Sequence, residues 1–127
     1  MDPHPKDVRC QNLLGRKPSA EASVWLADQK ITRSIGSLGA EASIKYVDGL
    51  IAVGAVRVIA IDIRARRARP IPGMDQPSET AQGVIVELPV DKDARNKLFA
   101  LEAAAATGQG FDPTSDEGQT LMFLKAD

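Results

Sequence analysis

The sequence predicts an α+β domain with two helices packed on one face of a four-stranded antiparallel sheet. Two kinds of pattern carry this reading. Apolar residues recur at helical spacing over positions 40–53 and again over 91–107. Positions 56–63 and 83–88 are short apolar runs rich in Val and Ile, bounded by Gly or Pro.

Positions 1–20 read as a flexible N-terminal tail, because Pro3, Pro5 and Pro18 and many charges surround a single apolar pair, Leu13 and Leu14. The domain then spans 21–127. Ser23 to Ala27, with Trp25 at the centre, has the character of a first strand that Asp28 ends. Positions 29–39 are polar and contain Gly36 and Gly39, which reads as a loop. In the first helix Ala40, Ile44, Val47 and Ile51 form the apolar stripe, Leu50 widens it and Ser43 sits at its edge. Ser37 is the expected N-cap, and Gly54 stands where a left-handed residue stops a helix.

The second strand, 56–63, follows at once. Positions 64–82 form the longest irregular stretch, punctuated by Pro70, Pro72, Gly73 and Pro77. In the third strand Val84, Val86 and Leu88 alternate with Ile85 and Glu87, and Pro89 ends the ladder. Asp91 caps a second helix whose stripe is Ala94, Leu98, Leu101 and Ala105, with Phe99 near the edge and Gly108 or Gly110 at the end. An acidic turn with Pro113 follows, with Phe111 expected to pack on the helix, and positions 119–125 make the last strand. The order β-α-β-β-α-β is that of the ferredoxin-like, split-βαβ arrangement. Right-handed crossovers then give the strand order 4-1-3-2.

The length of 127 residues suits one domain that holds its own core without disulfide or metal. The single Cys10 excludes an internal disulfide. No apolar run follows the first residues as in a secretion leader, and none approaches the roughly 18 residues of a membrane span. These features predict a cytoplasmic protein without membrane contact. A net charge of −1 argues against a dedicated nucleic-acid binder. The charge is uneven, at net +5 over positions 1–69 and net −6 over 70–127.

No catalytic, metal or cofactor motif stands out. His4 and Cys10 are the only residues of their kinds and lie in the expected tail, too few to make a metal site. The acidic turn 111–118 lacks the ligand periodicity of a calcium loop. Three surfaces are candidates. If Trp25 faces outward, the open sheet face carries Trp25, Ala60, Asp62, Ile85, Glu87 and Met122, which suits a homodimer or protein interface better than a two-carboxylate site built from Asp62 and Glu87. The loop before the first helix gathers Lys30, Arg33, Ser37 and Gly39, where helix-start N–H groups favour a small anion or nucleotide, although capping alone explains the same residues. Arg64, Arg66, Arg67 and Arg69 form a basic hairpin arm that suits phosphate backbone or an acidic partner, or simply protects a solvated edge. The leading expectation is a non-enzymatic binding domain that self-associates through the open sheet face, followed by anion binding and then nucleic-acid contact.

Overall fold

A computed structural model describes residues 4–28, 30–66, 78–110 and 113–125. The elements are α1 (Pro5–Arg16), β1 (Ser19–Glu21), α2 (Ala22–Ala27), β2 (Thr32–Ile35), α3 (Ala40–Val53), β3 (Arg57–Arg66), β4 (Ser78–Glu87), α4 (Lys92–Gly108) and β5 (Leu121–Lys125). The expected α+β class holds, with a mostly antiparallel sheet and several helices. The ferredoxin-like topology does not, since the sheet has five strands.

β3 and β4 form a long antiparallel pair at its centre, from Arg57 opposite Glu87 to Arg66 opposite Ser78. β1 lines the outer edge of β3 through Ala20 opposite Ala60. The remaining edge of β4 is shared end to end. β2 runs parallel to its first half, and β5 runs antiparallel to its second half.

Both faces of the sheet are covered. Val58, Ala60, Val84, Val86, Met122 and Leu124 point to one side and form the main core with α2, α3 and α4. Ile59, Ile61 and Ile85 point to the other side, where Cys10, Leu13 and Leu14 of α1 cover them. A strand with an apolar residue at every position is what burial on two faces demands. Alternation alone therefore could not show which face of β3 meets which helices. The sequence put Ala60 on the open face, whereas Val58 and Ala60 lie under the helices of the main core. The alternation also slips at Asp62, which takes a left-handed φ of 57° within β3. Ile61 packs under α1 in phase with Ile59, and beyond the slip Ile63 lies against the main core. Asp is among the few residues that tolerate this conformation.

Helices α3 and α4 lie where the periodicity puts them, and Asp91 caps α4 by accepting from Ala94 N–H at 2.9 Å. The faces they bury are rotated from the expected stripes. Ser43, Val47 and Leu50 are the buried residues of α3, while Ile44 and Ile51 are exposed. Leu98, Phe99 and Glu102 are the buried residues of α4, and Leu101 is exposed. The N-cap of α3 is Gly39, without a side-chain bond, instead of Ser37. Gly54 does end α3, at φ 130°, where an added Cβ would come within 2.7 Å of Ala94 Cβ.

Three segments change identity. The expected tail contains α1 and β1, the expected first strand is the helix α2, and the expected loop contains β2. Much of the stretch read as irregular after position 63 extends the two central strands, to Arg66 and back to Ser78. The expected packing of Phe111 lies outside the described residues.

Candidate functional site

The six residues expected to share an open sheet face do not share one. Trp25 is buried in α2, and Ala60 and Met122 are buried in the same core. Ile85 is buried beneath α1. Only Asp62 and Glu87 reach water, and each meets an arginine: Arg64 at 3.0 Å from Asp62 and Arg57 at 3.9 Å from Glu87. Asp62 sits five positions along β3 from the partner of Glu87, a separation of about 17 Å at strand rise. The two carboxylates therefore form no joint acid–base site.

The candidate anion loop is also differently organised. Arg33 lies on β2 and binds Glu79 at 2.9 Å, Asp28 O at 2.6 Å and Trp25 O at 3.4 Å. Its guanidinium joins α2, β2 and β4. The hydrogen bond to Glu79 raises its pKa, outweighing burial. Lys30 and Ser37 are exposed. Ser43, expected only at the edge of the apolar stripe, is buried and ties β2 to α3: its hydroxyl accepts from Ile35 N–H at 2.7 Å and donates to Gly39 O at 2.6 Å. In the basic arm Arg64 pairs with Asp62. The side chain of Arg66, and Arg67 and Arg69 entirely, lie outside the described residues.

A different site is assembled around β5. α1 passes on one side of the strand and α4 on the other, leaving a groove of about 410 Å3. Lys6, Arg9, Cys10 and Leu13, on one face of α1, make the first wall. Glu102, Ala105, Ala106 and Gln109 of α4 make the second, and β5 is the floor.

The phase of the ladder shows what that floor offers. Leu88 N–H donates to Thr120 O at 2.7 Å. Hydrogen bonding alternates along an antiparallel strand, so Met122 and Leu124 turn their backbone groups to β4. Leu121, Phe123 and Lys125 turn theirs outward. Both ends of this outer edge are bracketed by side chains. Asp7 accepts from Leu121 N–H at 2.9 Å, and Gln109 Nε2 donates to Lys125 O at 3.1 Å. Between the brackets, Phe123 N–H, Phe123 C=O and Leu121 C=O face the groove.

Asp7 is the main fastening of α1. Beyond Leu121 it accepts from Thr120 N–H at 2.9 Å and from the Thr120 hydroxyl at 2.8 Å. Burial would raise its carboxyl pKa, but these bonds from Thr120 and Leu121 together hold it below the usual value. His4, at the N-cap of α1, accepts from Lys6 N–H at 3.1 Å. The lysine itself pairs with Glu117.

Arg95 fixes the segment leading into β5. It grips Asp116 with Nε at 3.1 Å and Nη2 at 2.6 Å, and also donates to Gln119 O at 2.9 Å and Pro89 O at 3.2 Å. Buried Glu102 accepts from Thr114 N–H at 2.8 Å. The acidic turn is thus held by its own carboxylates and by α4. Cys10 in the groove wall is pushed up to about 11, first by burial and then by the negative charge of Asp7. Its thiol stays neutral at pH 7 and behaves as an apolar surface.

Sequence reasoning found β5 and α4 but missed the groove, because its first wall was taken for tail. The signals of a helix were present: Pro5 at the first turn, Asp7 after it and Arg16 in the last turn. No protein-family model, curated protein or solved structure matches the chain. Among the described residues no helix is long and apolar enough to cross a membrane, and no cluster of His, Cys, Asp and Glu could hold a metal ion.

Proposed function

We propose that this protein is a non-enzymatic interaction module that captures an extended polypeptide by adding it as a strand along the outer edge of β5. The observation that carries the reading is the bracketed edge: outward N–H and C=O groups of Phe123 at the floor of a groove walled by two helices. An exposed strand edge is a ready template for another strand. The groove volume falls in the range of ligand clefts, roughly 300–1,000 Å3. The titratable groups around it favour binding over catalysis. The Cys10 thiol is neutral at pH 7, the Asp7 carboxylate is saturated by N–H and O–H donors, and Glu102 accepts from the backbone.

Hydrogen exchange at the Phe123 amide tests the proposal directly. Peptides selected on the intact protein from a random displayed library supply the probe. A bound peptide should slow exchange of the Phe123 amide at least tenfold. Selected peptides that bind while leaving this amide unprotected would overturn the reading.

A further inference from the structure

We infer that the strand accepted by β5 is acidic on one side and aliphatic on the other, and that it comes from a different protein, not from a second copy of this chain. This inference rests on the strand-addition reading above and adds the chemistry of the ligand.

The two walls of the groove differ. Leu121 packs with the α1 cluster, whereas Met122 and Leu124 belong to the main core on the α4 side. Phe123, in phase with Leu121, therefore projects on the α1 side. A residue paired with Phe123 places its side chain on that same side, where Arg9 and Lys6 line the wall. Arg9 is exposed and makes no ion pair among the described residues. Lys6 is engaged by Glu117 and by Ser115 O, so Arg9 supplies the positive charge of this wall. The neighbouring residues of the added strand project toward α4, where Ala105 and Ala106 present only methyl groups and leave room for aliphatic side chains. A carboxylate beside Arg9 gains an ion pair in a partly desolvated groove, and an ammonium there meets like charge.

Pairing with a second copy fails on the same ground. A symmetric antiparallel pair centred on Phe123 sets Leu121 of one copy opposite Lys125 of the other. The side chain of Lys125, in phase with Leu121 and Phe123, then lies beside Lys6 and Arg9 of the other copy. At each end of such an interface a second ammonium is brought to Arg9, while Glu117 is already taken by Lys6 and the carboxylate of Asp7 by Thr120 and Leu121.

The probes are two capped synthetic peptides, Thr-Val-Glu-Val-Glu-Val-Thr and its counterpart with Lys for Glu. Affinity is measured by fluorescence polarisation on the full chain at low salt and at 0.5 M NaCl, with Phe123 amide exchange as the second readout. The Glu peptide should bind at least tenfold tighter at low salt, the gap should narrow at high salt, and Arg9→Glu should reverse the order. Equal protection of Phe123 by both peptides, with equal affinities, would overturn the acidic selectivity and leave strand addition standing. Protection by neither peptide would overturn both. A salt-sensitive dimer of the unliganded chain that protects Phe123 would overturn the exclusion of a second copy.

Discussion

At the scale of single residues, positions that look unremarkable in the sequence hold the structure together. Asp7 ties the start of the chain to its last strand through Thr120 and Leu121. Replacing it with Ala leaves part-buried donors to water, at about 1 kcal/mol for each hydrogen bond lost, and should lower the urea midpoint clearly. Because its folded pKa is depressed, the stabilisation is present above the ordinary carboxylate value of 3.8 and is lost as pH falls through the lower folded value. The stability gap between wild type and Asp7→Asn, measured by urea unfolding, should therefore narrow as pH drops from 5 toward 2. Gly83 is equally constrained. An added Cβ there would lie 2.7 Å from Leu124 O and 2.8 Å from Phe123 Cε2. Gly83→Ala should cost about 1–3 kcal/mol and disturb the Phe123 ring, visible as a lower melting temperature and shifted aromatic resonances. Cys10, with its pKa raised to about 11, should react with iodoacetamide at pH 7.5 at least tenfold more slowly than a free thiol.

At the scale of elements, α1 decides what the sheet presents to the outside. It covers Ile59, Ile61 and Ile85 and walls the groove. Deleting the first 17 residues would expose three isoleucine side chains, each worth about 2 kcal/mol of burial. That sum matches much of the stability of an ordinary domain. The truncated chain should aggregate or self-associate in light scattering, and a stable folded monomer would show that α1 is dispensable to the fold. The sequence concealed α1 because its stripe is narrow, with Cys10, Leu13 and Leu14 among many charges. α2 is only six residues long, too short for periodicity to separate helix from strand in an apolar stretch. Neither has enough local stability to exist alone, so packing on the sheet selects its state.

At the scale of the whole molecule, the positive first half and negative second half are interleaved. Arg33–Glu79, Arg57–Glu87 and Lys6–Glu117 each join one half to the other. The charge asymmetry in the sequence is thus met in part by internal pairs between adjacent elements. Arg57 and Glu87 are both exposed, and pairs of that kind contribute about 0–1 kcal/mol. Raising NaCl to 0.5 M should shift the melting temperature by only a few degrees, and a collapse of stability would mean that ion pairs, not burial, hold the fold.

The sequence by itself determined α3, α4 and the cores of β3, β4 and β5. In each of these, helical spacing or an apolar run extends over enough residues to mark the element, although the cap of α3 and the faces that α3 and α4 bury were set by packing. Tertiary structure alone decided that positions 5–16 are helical, that Thr32–Ile35 pair in parallel with β4, and that Trp25 is buried in a helix. It also decided which face of β3 meets which layer, and it created the groove. These outcomes depend on contacts between residues as distant as Asp7 and Thr120. Short segments take their conformation from the partner that buries them, and a strand with apolar residues on both faces carries no local mark of which face is which.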